Sequence, residues 1–93
     1  VISTAVLAID TWYFIVGRWD ITNTDIFVDN IKTHAISSEA SIFNSTAEMT
    51  LAVDTWGTDF FTGYFSMAFI CSSSVSDSIL KNIWHQTRYL FNK

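Results

Sequence analysis

The sequence predicts an α+β fold, an antiparallel β-sheet with an amphipathic C-terminal helix packed on one face. Three observations predict it. Side chains alternate between apolar and polar through the middle of the chain, the N-terminal third is dense in β-branched and aromatic residues, and near residue 75 the apolar period lengthens from two residues to that of a helix. At 93 residues the chain is a single domain with room for one core.

Residues 11–19 (TWYFIVGRW) are apolar on both faces, as in a strand covered on two sides, and read as one long bent strand or two short ones. Ile21-Thr22-Asn23-Thr24-Asp25 supplies turn chemistry, because Asn and Asp side chains hydrogen-bond nearby backbone groups. Residues 26–36 fit either a strand or a short helix capped by Thr24, and Ser37 and Ser38 punctuate them. Over 43–54 one face carries Phe43, Ser45, Ala47, Met49, Leu51 and Val53, and the other Asn44, Thr46, Glu48, Thr50, Ala52 and Asp54. That period of two predicts a half-buried strand. Trp56-Gly57-Thr58-Asp59 reads as a tight turn, after which Phe61, Gly63, Phe65, Met67, Phe69 and Cys71 share one face of a second strand, completing a hairpin. The helix is predicted from Val75, Ile79, Leu80, Ile83, Trp84, Leu90 and Phe91, which gather on about half of its circumference. Ser74 or Ser76 caps it, Asp77 suits its positive end, and Arg88 and Lys93 suit its negative end. The rival fold is an all-α bundle in which 39–56 forms a helix stopped by Gly57 and a second helix starts at Asp59.

A six-residue phrase occurs twice, as LAIDTW at 7–12 and LAVDTW at 51–56, which implies an internal duplication within the one domain. Farther along, 25–31 (DIFVDNI) and 77–83 (DSILKNI) share only Asp, Asn and Ile in register. The repeated Asp-Thr, at Asp10 and Asp54, resembles the start of the Asp-Thr-Gly triplet of aspartic proteases, in which paired carboxylates share a proton. There Gly lets the backbone turn beneath the carboxylate, whereas Trp12 and Trp56 follow here, so the pair reads as aspartates bonded locally at strand edges or turns. A sharper alternative makes Asp10 or Asp54 the buried base of a small enzyme. Phe14-Ile15-Val16-Gly17-Arg18-Trp19 contains a Gly-x-Trp that resembles the first-strand signature of lipocalins, which implies a Trp19 closing a barrel floor. A closed barrel of about eight strands needs more chain than follows Trp19, so the motif reads as local packing in a curved sheet.

Composition narrows the function. The chain is 49% hydrophobic and 15% charged, where about 25% charged is typical of a soluble domain, so more apolar side chain is present than so short a chain can bury. A net charge of −4 with Lys and Arg scattered along the chain excludes a nucleic-acid partner. Neither 1–16, interrupted by Asp10, nor the apolar run 60–71 has the roughly 20 residues of a spanning helix, although the aromatic load leaves room for membrane contact. Cys71, alone in an apolar run, reads as buried packing. His34 and His85 lack metal-ligand spacing and read as solvated or capping residues. Asn44-Ser45-Thr46 is a glycosylation sequon. No catalytic, cofactor or metal motif is complete. The expected function is therefore a noncatalytic structural or assembly subunit, a homo-oligomer or part of a larger complex. Its contacts would be drawn from Trp12, Trp19, Trp56, Phe61, Phe65, Phe69 and Trp84. The alternative use of the same aromatics is a pocket between sheet and helix for a small apolar ligand.

Overall fold

The computed structural model describes residues 1–37, 41, 46, 48–53 and 57–93. Among them, strands β1 (Ile15–Trp19), β2 (Asn23–Val28) and β3 (Ile31–Ile36) form an antiparallel sheet in the order β1-β2-β3. Helix α1 (Asp77–Thr87) and a single 3-10 turn (Arg88–Phe91) complete the α+β fold. The stretch 26–36, open between strand and helix in the sequence, divides at Asp29-Asn30 into the end of β2 and all of β3.

Both sheet turns are built by aspartates. Asp20 and Asn23 exchange backbone hydrogen bonds, and the Asp20 carboxylate accepts from the backbone N–H groups of Thr22 and Asn23, each at 2.8 Å. Hydrogen bonds from the Thr22 hydroxyl, the Thr22 backbone and the Asn23 amide lower the Asp20 pKa to about 2. Asp29 adopts the left-handed conformation, φ 55°, that Asp tolerates better than bulkier residues. Its backbone N–H donates to Phe14 O at 2.7 Å, and its carboxylate accepts from Phe14 N and Lys93 Nζ, each at 3.0 Å.

Ser76 is the residue that caps α1, its hydroxyl accepting from Ile79 N. Leu80 and Trp84, one turn apart on α1, are buried and form the core with Phe27 and Val28 of β2. Complete burial of such side chains stabilises by about 1.5–3 kcal/mol each. Trp84 meets the Phe14 ring at 6.2 Å between centroids, and Trp12 meets Phe91 at 5.0 Å, so the segment preceding β1 is clasped by the C-terminal elements. Ile79 and Leu90, expected on the packed face, are 52% and 74% exposed, so the buried stripe is narrower than the apolar pattern.

The hairpin expected over 43–54 and 61–71 is corrected. Its first arm lies partly outside the described residues. What is described contains one isolated bridge, Val53 to Phe60, beside a backbone bond from Phe61 N to Ala52 O at 2.8 Å. Residues 61–71 form no strand. Alternation states which side chains would share a face if the backbone were extended, but a strand also requires a partner for its N–H and C=O groups, and no described segment supplies one. Residues 48–53 are not helical, contrary to the all-α rival. The hexapeptide echo differs where both copies are described: Ala52 has φ 67°, whereas its counterpart Ala8 has no positive φ. Cys71, expected inside, is exposed, in a segment that belongs to neither the described sheet nor the helix.

Candidate functional site

Two constellations stand out, one polar and one apolar. The polar one is a row across the sheet. The pairing sets Arg18 on β1 opposite Asp25 on β2, and Asp25 opposite His34 on β3, so all three side chains project from one face. Asp25 is 2% exposed. One of its oxygens accepts from Arg18 Nε at 2.9 Å and from Arg18 Nη2, and the other meets His34 Nδ1 at 2.7 Å. Burial by itself pushes the Asp25 carboxyl up, but the hydrogen bonds from His34 and Arg18, with the charges of Arg18 and Lys32, outweigh it and hold the group below the usual carboxylate range.

Arg18 continues to the start of α1, where Nη1 donates to Val75 O at 2.8 Å and pairs with Asp77. Lys32 on β3 pairs with the other Asp77 oxygen at 2.8 Å. Hydrogen bonds from Lys32 and then Arg18 lower the Asp77 pKa. The Phe27 ring lies below both cations, 5.2 Å from the Arg18 guanidinium and 6.0 Å from Lys32 Nζ. The donors are engaged by the cluster's own carboxylates and by Val75 O, so the arrangement clamps the helix N-terminus to the sheet. His34 is half exposed at one end of this row. The sequence reading places His34 singly and does not bring these five residues together.

The apolar constellation is an open cleft of about 2040 Å³ along the outer edge of β1. β1 is the only strand that lines it among the described residues; one wall is 7–21 and the other 61–75, with Leu80, Trp84 and Phe91 at its base. Of the predicted contact residues, Trp12, Trp19, Phe61, Phe65, Phe69 and Trp84 all line this cleft. Trp56 and Asp54 lie outside the described residues, as do Asn44 and Ser45 of the sequon. Phe61 and Phe65 meet in a tilted pair at 4.7 Å between centroids, and the Phe61 ring folds over Gly63, where a Cβ would meet it at 2.6 Å. Trp19 is anchored by its indole N–H, which donates to Ser37 Oγ at 2.9 Å. Asp10 is exposed in a turn with φ 54°, in contact with solvent, which is a different setting from the buried base considered above.

No described helix is long and apolar enough to cross a membrane. Comparison with protein-family models, with curated proteins and with solved structures finds no match.

Proposed function

We propose that this chain is a noncatalytic assembly subunit that associates through the aromatic cleft beside β1. The observation that carries the reading is surface in excess. A compact monomer of 10.6 kDa exposes about 5500 Å². This chain exposes 7665 Å², roughly 2200 Å² more. Its radius of gyration, 14.5 Å, likewise exceeds the ~12 Å of a compact domain of this length. Part of the exposed surface is apolar: Phe60, Tyr64, Phe65 and Ile70 are each more than half exposed, and residues 60–76 contain no charged side chain. Exposed apolar side chains gathered in one stretch in this way favour a contact with another molecule.

Sedimentation velocity or light scattering of the purified chain tests the reading. A defined oligomer at micromolar concentration is expected, and a well-behaved monomer at high micromolar concentration overturns it. A second reading, a carrier of a small apolar ligand, draws on the convergence of six aromatic candidates on one cleft. Ligand pockets are usually about 300–1,000 Å³ and enclosed, so this larger open cleft suits a length of polypeptide better. Added hydrophobic probes that shift tryptophan emission and raise the Tm would favour the carrier.

A further inference from the structure

The two edges of the sheet, unpaired among the described residues, differ in a way that selects a partner. Phe14 pairs with Asp29, and Asp20 exchanges both backbone bonds with Asn23. In an antiparallel ladder such pairs alternate, so Val16 and Arg18 also bond inward to β2. The N–H and C=O groups of Ile15, Gly17 and Trp19 therefore point out of the sheet into the cleft. By the same count, Ser37 bonds to Thr22 and β3 bonds inward through Ile31, Thr33 and Ala35. The outward groups of β3 thus belong to Lys32, His34 and Ile36. Charged residues guard an edge strand against further pairing, and Lys is the commonest guard. The β1 edge has no such guard: its one charged residue, Arg18, is engaged by Asp25, Asp77 and Val75.

Gly17 is at the centre of the β1 edge, is exposed, and has no heavy atom within 4 Å of where a Cβ would be. Glycine within a strand weakens it unless another backbone must approach closely there. We propose that β1 pairs antiparallel with β1 of a second copy about a twofold axis through Gly17, joining the two three-stranded sheets into one. This inference rests on the self-association proposed above and names its mode. The register is self-complementary. Gly17 faces Gly17 of the other copy and Ile15 faces Trp19, so every outward backbone group of the three residues finds a partner at once. Ile15 against Trp19 is an aliphatic–aromatic cross-strand pair. Arg18 falls opposite Val16, so no like charges face each other. The excess of roughly 2200 Å² per chain is more than the ~800 Å² per partner that a standard stable interface covers. Strand pairing alone does not cover that much, and the apolar wall 61–71 beside β1 supplies the rest.

The test is a cross-link across the axis, made in a Cys71→Ser background to remove the exposed native thiol. Directly paired residues at such a position lie about 5.5 Å apart at Cα, within disulfide range. Gly17→Cys is expected to oxidise to a covalent dimer, while Ile36→Cys on the opposite edge stays uncrosslinked. The unaltered chain gives a second measurement that needs no substitution. Amide hydrogen exchange at Ile15, Gly17 and Trp19 should be fast in dilute solution and should slow as concentration rises, while Lys32, His34 and Ile36 stay fast throughout. An oligomer in which Gly17→Cys fails to cross-link and the β1 edge amides stay fast overturns the pairing and leaves self-association standing. A monomer at every concentration overturns both.

Discussion

Asp25 shows what one side chain does when the fold surrounds it. A carboxylate 2% exposed persists in the charged state because Arg18 and His34 donate to both of its oxygens. Removing one partner of a buried pair leaves the other charge poorly compensated, so Asp25→Ala should cost about 3 kcal/mol, read as a lower urea midpoint at unchanged m-value. His34→Ala should cost less, since the imidazole is half exposed. The same carboxylates set an acid limb. Asp25 and Asp77 have folded-state pKa values below their ordinary ones, so they bind fewer protons folded than unfolded near pH 4. The stability they contribute is therefore complete above the unfolded value of about 4 and falls away as pH drops through the folded values. Asp20, lowered to about 2, acts with the same sign in the first turn. Thermal melts from pH 6 down to pH 2 should show a falling Tm below about pH 4, and the fall should be shallower in Asp25→Ala.

At the scale of elements, the helix was legible because its signals are local: a serine before an acidic residue, then Leu80 and Trp84 one turn apart. Ser76→Ala should lower stability by about 0.5–1 kcal/mol, the low end of the capping range because the bond to Ile79 N is long at 3.4 Å, and far-ultraviolet circular dichroism should show a frayed first turn. β1 was legible from its β-branched and aromatic content over Ile15–Trp19, but 11–14, read as part of the same stretch, is not strand, and the exposed Ile15 and Gly17 show that it is not covered on two sides. β2 and β3 were only half legible. The turn between them has Asp29 where a glycine would announce it, and the buried Asp25 breaks the apolar alternation of β2. The polar row could not be read from spacing, because Arg18, Asp25 and His34 come together only through register. The signal that could have found it is the first turn: pairing Asp20 with Asn23 places Arg18 opposite Asp25 automatically. The stretch 61–71 failed in the opposite sense. It carries the alternation of a strand, yet pairing is a property of two segments, and nothing in one segment's pattern states whether the other lies within the same chain.

For the whole molecule, the lack of a strand partner for 61–71 among the described residues and the excess surface are two sides of one problem. Phe14, Phe27, Leu80 and Trp84 bind helix to sheet, and the Asp25 row pins the helix start, so the core is built from the sheet, the helix and the segment before β1, with the wall 61–71 lining the cleft beside it. A segment can be apolar, outside the core and retained in a well-behaved protein when another molecule covers it. This separation predicts that folding and association respond to different substitutions. In the double variant Phe65→Ser, Phe69→Ser, the side chains removed are each about half exposed in the single chain, and among the described residues their one ring contact is the tilted Phe61–Phe65 pair. Unfolding of the dissociated chain at low concentration should therefore shift by no more than about 1 kcal/mol, the worth of an exposed aromatic pair. Association should weaken far more, because aromatic side chains at the centre of an interface cost about 2 kcal/mol or more each when truncated. Sedimentation across a concentration series reads the second effect and urea unfolding at low concentration reads the first. If the two serines unfold the chain as readily as they dissociate it, the wall belongs to the core and the proposed division between fold and contact surface is wrong.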